Sequence, residues 1–172
     1  MTGKLLSPSS LFVIQILATA MMTGIIWFVQ VVHYPLFTKI PAAGFVDYEQ
    51  AHTVRTGWVV APLMLVELGT ALALLLAWGP EGVAPRLGSF ATDPLYLTAL
   101  GCLLLIWIST FFLQVPLHGT LSRQADQGAV LLLISTNWIR TILWSVRLVL
   151  LTLLLPKAVS YTHLTLPTIY SV

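Results

Sequence analysis

Residues 11–32 read LFVIQILATAMMTGIIWFVQVV, without one charged side chain. Wound as an α-helix at about 1.5 Å per residue, this run is about 33 Å long, enough to cross a hydrocarbon core about 30 Å thick. Three further runs repeat the pattern. Residues 59–78 carry a single acid, Glu67. Residues 95–113 carry no charge. Residues 138–155 carry Arg140 and Arg147. None alternates apolar and polar positions as the strands of a membrane barrel do. The expected fold is therefore all-α: an integral membrane bundle of four helices, forming one domain over residues 1–158.

Composition agrees. Of 172 residues, 58% are hydrophobic and only 8% charged, against about 25% charged in a soluble domain. Mean hydropathy is +0.92. That excludes a disordered chain, which needs high charge and few apolar residues. A net charge of +2 without a clustered basic face excludes a nucleic-acid binder. One cysteine, Cys102, excludes an internal disulfide, a Cys-based zinc site and thiol–disulfide chemistry. The partners that remain are the lipid bilayer, a lipophilic small molecule and a second copy of the chain.

Four spans bring both termini and the loop 79–94 to one side. That loop holds Gly79, Pro80, Gly82, Pro85 and Pro94 and reads as irregular. The connections on the other side differ. Residues 45–56 are helix-compatible and free of proline, so the second helix is expected to start near Ala42. Residues 129–136 run into the fourth span. Helices 2 and 4 should therefore extend beyond the bilayer on this side. Pro35 and Pro116 mark where helices 1 and 3 leave the membrane, with the chain expected to bend back there, and Pro62 should kink helix 2. Lys4, Arg86 and Lys157 on the terminal side lean toward cytoplasmic termini. The small residues Ala18-Thr19-Ala20 do not make a cleavage site, because the apolar run continues to Val32. Residues 159–172 begin VSYTHLTLPT. This resembles translated sequencing-adapter read-through, so the tail, with His163, is set aside.

Polar side chains are costly in a membrane, so their positions carry information. They gather at the end opposite the termini. Helix 1 ends in Gln30, His33 and Tyr34. Tyr48, His52 and Arg55 follow i, i+4, i+7 spacing before the second span. Helix 3 ends in Gln114 and His118, one and two turns beyond Thr110, with Trp107 beside Thr110. Asn137, Arg140, Trp144 and Arg147 form a stripe on helix 4. Imidazoles from three segments can exchange protons, or bind a transition metal or haem iron. His33, His52 and His118 are thus the candidate metal ligands, although no His-x-x-x-His pair is present and the residues name no cofactor. Arginines suit an anionic or enolate-like oxygen. The assignment is His52, His118, Arg140 and Asn137 as catalytic, with Gln30, His33, Tyr48, Arg55, Gln114, Trp107 and Trp144 around the substrate. Deeper in, Glu67 and Arg147 lie about 12–14 Å below the same end by helical rise, and an ion pair between them is expected to fix the register of helices 2 and 4.

Two stretches carry a resemblance. Phe112-Leu113-Gln114-Val115-Pro116-Leu117-His118 closes helix 3, and Asn137-Trp138-Ile139-Arg140-Thr141 opens the fourth span. Together they resemble the signature of the four-helix membrane family that includes the fungal anthrone oxygenases, with Gln114 and His118 standing where that family has asparagines. The overlap covers most of residues 10–155, with strong matching at Val115, Pro116, Leu117, Asn137, Arg140 and Thr141. The resemblance places the chain in a bacterial branch, hence in an inner membrane. It implies an oxygenase or related oxidoreductase acting on a lipophilic, phenol-like molecule. The alternatives from the residues alone are a haem- or copper-binding redox protein and a non-enzymatic membrane partner or transporter subunit.

Overall fold

The computed structural model describes residues 8–76 and 93–163. Residues 79–92 of the irregular loop, Lys4, the last residues of the second span and most of the tail lie outside them. The described residues fold into helices α1 (Pro8–Phe28), α2 (Tyr34–Phe37), α3 (Ala42–Leu76), α4 (Pro94–Ser109), α5 (Val115–Leu121) and α6 (Gln127–His163). They make four rods, each long and apolar enough to cross a membrane. The protein is an all-α integral membrane bundle. Its outer surface carries Leu17, Val31, Trp58, Leu104, Phe112 and Val149, all more than half exposed and suited to lipid.

The rods form two helical hairpins of the same design. In each, an α-helix passes through a π-helical turn into a short helix (α1 through Val29–His33 into α2, and α4 through Thr110–Gln114 into α5). The long helices α3 and α6 then return. Both π-turns sit just before a proline. A proline ring clashes with the carbonyl four residues back and leaves it without a donor. The wider turn relieves this: the Tyr34 N–H donates to the Val29 carbonyl and the Val115 N–H to the Thr110 carbonyl, each five residues back. The chain therefore stays helical through Pro35 and Pro116 and does not bend back there. α3 also runs unbroken through Pro62.

Local signals close the ends. The Asp93 carboxylate accepts from the Leu95 N–H at 2.9 Å, with Pro94 in the first turn of α4. Asp126 accepts from the Ala129 N–H at 3.1 Å before α6. α3 begins at Ala42 and spans 35 residues; α6 begins at Gln127 and spans 37. At about 1.5 Å per residue each exceeds a 30 Å hydrocarbon core by about 20 Å, so both project past the membrane.

α1 is central and packs on α3 and α6, while α4 packs on α6. α3 and α4 meet toward the termini, where the Tyr96 hydroxyl donates to the Ala71 carbonyl at 3.5 Å, and the bundle is open between them nearer the hairpin turns. Two apolar clusters fill it. One, nearer the hairpin turns, includes Met22, Ile26, Phe37, Ile106 and Trp144. The other includes Phe12, Leu74, Tyr96, Leu151 and Leu154.

Between them lies a polar tie. Arg147 Nε donates to Glu67 Oε1 at 3.4 Å, with both side chains fully buried. Glu67 also accepts from Thr19 Oγ1 at 2.6 Å and Trp144 Nε1 at 3.0 Å, and Arg147 donates to the Ala99 carbonyl at 2.6 Å. All four rods thus meet at one ion pair.

Candidate functional site

The open side of the bundle leads into a cavity of about 570 Å³. Its walls are apolar: Met22, Ile26 and Val29 of α1 and its π-turn, Val60 and Met64 of α3, and Trp107 of α4. On the α3 wall Gly57 and Ala61 leave the space free, and a Cβ built at Gly57 meets nothing within 4 Å. The lining residues Leu65 and Phe111 are more than half exposed, so the opening between α3 and α4 faces lipid.

One end of the cavity is polar, with Tyr34, His52, Gln114, His118 and Arg140 on its surface. The π-turns help to set them. An extra residue in a turn advances the helical phase of every downstream residue by roughly 100°, and Tyr34 and His118 both lie downstream of such a turn. The Tyr34 hydroxyl lies 2.9 Å from His118 Nε2. His118 Nδ1 is hydrogen-bonded to Glu49 Oε1. Glu49 sits on α3 one turn before His52 and is fully buried. His52 Nδ1 is 2.8 Å from His33 Nε2 and 3.1 Å from Thr56 Oγ1. The rings of His52 and His118 approach to 5.5 Å between centroids. Arg140 neighbours the Tyr34 hydroxyl and lies over the Trp144 ring, 5.2 Å from its centroid.

Several buried polar atoms here lack a hydrogen-bond partner among the described residues: Glu49 Oε2, Trp107 Nε1, Gln114 Oε1 and Arg140 Nε. Trp107, Gln114 and Arg140 line the cavity, and Glu49 adjoins it through His118. A buried unpaired donor or acceptor costs about 1–3 kcal/mol. The residues that carry three of them line the cavity, whose apolar walls and polar end suit a polar-headed ligand.

The expected site residues divide into three groups. His52, His118, Arg140, Gln114 and Trp107 come together at the cavity. Gln30, His33, Asn137 and Trp144 stand behind it. Asn137 Nδ2 donates to Gln30 Oε1 at 2.9 Å and Gln30 Nε2 to the Ile134 carbonyl at 3.2 Å, so this pair joins helix 1 to α6 and offers nothing to the cavity. His33 backs His52. Trp144 is buried beneath Arg140 and bound to Glu67. Tyr48 and Arg55 do not reach the site. Both are exposed, and Tyr48 packs on the edge of Phe37. The inward face of α3 runs through Phe45, Glu49, His52, Thr56 and Val60, and at about 100° per residue Arg55 lies roughly 100° from its centre.

Two residues with central positions have no role on the sequence reading. Tyr34 enters it only as part of the polar end of helix 1. Glu49 is absent from it, although the signal exists: Glu49-x-x-His52 places a carboxylate and an imidazole one helical turn apart on one face. No protein-family model, curated protein or solved structure matches this chain.

Proposed function

We infer that this protein is a membrane-embedded oxidoreductase of oxygenase type, acting on a lipophilic small molecule that carries a phenolic or enolic oxygen. The substrate enters from the bilayer between α3 and α4 and lies along the apolar wall of Met22, Ile26, Val60 and Met64. Its oxygen reaches Tyr34 and Arg140, where a developing negative charge is stabilised. The group Glu49, His52 and His118 stands beside that oxygen and carries the chemistry.

The observation that carries this reading is the coincidence of a lipid-facing apolar cavity with a polar end formed by Tyr34, His52, Gln114, His118 and Arg140. A docking surface for a partner protein has no need of a cavity that runs into the bundle and ends on the buried polar side chains of Tyr34, His52, Gln114 and Arg140. The resemblance around Gln114–His118 and Asn137–Thr141 supports the oxygenase type. Gln114, Val115, His118 and Arg140 of those stretches line the cavity, and Asn137 anchors the helix that carries Arg140.

With the bacterial placement that the resemblance implies, the membrane is an inner membrane. The lean of Lys4, Arg86 and Lys157 then puts the termini in the cytoplasm and the polar end of the cavity near the outer face. The test is turnover in nanodiscs with a panel of fused-ring phenols, monitored by dioxygen uptake and product mass. Wild-type protein should convert at least one of them, and Arg140→Met and His52→Ala should not. A panel converted equally by wild type and both variants, or by none, counts against the reading.

A further inference from the structure

We propose that Glu49, His52 and His118 form a binding site for one divalent first-row transition-metal ion. The inference rests on the reading of the cavity as a reaction site and names what its polar end holds. One ligand atom from each residue lies within 4.8 Å of those from the other two. Ligands around a single ion bonded at about 2.0–2.2 Å are roughly 3–3.5 Å apart, so a small adjustment of side chains closes the group onto an ion.

The surroundings fit this role better than they fit a set of structural hydrogen bonds. An imidazole that ligates a metal has its other nitrogen held by a neighbour, which fixes ring orientation. Both imidazoles here are held in that way. His52 Nδ1 is engaged by His33 and Thr56, which leaves Nε2 for a ligand. His118 Nε2 is engaged by the Tyr34 hydroxyl, which leaves Nδ1, the nitrogen that already meets Glu49. Glu49 is fully buried, and its Oε2 has no partner among the described residues. A buried carboxylate with one oxygen unpaired is costly unless a cation compensates it.

The donor set selects the class of ion. One carboxylate and two imidazoles suit a borderline divalent ion such as iron, manganese, cobalt or zinc, and leave coordination positions open. There is no thiolate near by to favour Cu(I): Cys102 lies in α4, within the apolar bundle. His33, expected from sequence to be a ligand, is an outer support and not a member of the group. The open positions face the cavity that His52 and His118 line, beside Tyr34 and Arg140.

The test uses the full chain in detergent, stripped with chelator and titrated with Co2+. Wild-type protein should bind one Co2+ per chain, with visible ligand-field absorption. Glu49→Gln, His52→Ala and His118→Ala should each weaken binding at least tenfold. His33→Ala, which removes only a support, should weaken it about 10–100-fold, and Arg55→Ala should leave it unchanged. If the ligand variants do not fold, the wild-type protein still decides the matter: bound Mn2+ should show spin-echo modulation from imidazole nitrogen. Failure of the wild type to bind, unchanged affinity in the folded ligand variants, or bound Mn2+ without nitrogen coupling overturns the site. Binding of 1-naphthol is read separately. A chain that holds metal but no naphthol keeps this site and loses the substrate reading, and the reverse result loses only the metal.

Discussion

The Tyr34 hydroxyl and His118 Nε2 lie 2.9 Å apart, joining residues 84 positions distant in the chain. Each comes from a short helix that succeeds a π-turn and contains a proline, α2 in one hairpin and α5 in the other. The contact therefore joins the two hairpins at the polar end of the cavity. It also orients His118 toward Glu49. Tyr34→Phe removes one hydrogen bond and keeps the ring. We expect a stability cost of about 1 kcal/mol in chemical unfolding. 1-naphthol affinity should fall about tenfold, equivalent to about 1.4 kcal/mol, read by titration calorimetry. Unchanged affinity would remove Tyr34 from the site.

Glu67 and Arg147 meet near the middle of the bundle, fully buried and 3.4 Å apart. Arg147→Met leaves the Glu67 carboxylate buried without its counter-charge, which should cost about 3–5 kcal/mol. The double change Glu67→Gln with Arg147→Met should recover most of that loss, because neither charge then needs compensation. Unfolding in a denaturing detergent series distinguishes these outcomes. A double variant no more stable than Arg147→Met alone would mean the pair is not the unit that matters.

Asn137 and Gln30 are joined at 2.9 Å away from the cavity. Asn137→Ala leaves Gln30 Oε1 buried without its donor and should cost about 1–3 kcal/mol of stability. Naphthol affinity and Co2+ stoichiometry should not change. Loss of either in a folded variant would return Asn137 to the catalytic group to which the sequence reading assigns it.

Gly57 is a helix-interior glycine beside open space. Glycine costs such a position up to about 1 kcal/mol relative to alanine, and leucine is nearly as good a helix former. Gly57→Leu should therefore unfold no more easily than wild type, while its side chain fills the opening between α3 and α4. Clear destabilisation would show that the cavity wall is packed more tightly there than the structure indicates.

The four rods were legible in the sequence because an uncharged run of spanning length has few other uses. Counting helical rise from the same side also sufficed to bring Glu67 and Arg147 to one depth. The site was legible only in outline. Its end of the bundle could be read from where Gln114, His118 and Arg140 fall, but the facing of individual side chains could not. On α3 the stripes Tyr48–His52–Arg55 and Glu49–His52–Thr56 share His52, and only the position of α1 and α5 decides between them. The π-turns compound this. Each shifts the phase of every residue downstream, so a regular helix drawn through Val29–His33 misplaces Tyr34. The prolines that cause them were visible at 35 and 116, and read as exits from the membrane they concealed the turns.

On the proposed function, a lipophilic hydroxy compound occupies the cavity between α3 and α4 with its oxygen at Arg140. Native mass spectrometry of the protein released from nanodiscs with 1-naphthol measures this most directly. One saturable adduct per chain is expected in wild type and in Arg55→Ala, a marked loss in Arg140→Met, and none in Gly57→Leu. Equal uptake by wild type and Gly57→Leu, or uptake that rises without saturation in every variant, would contradict it.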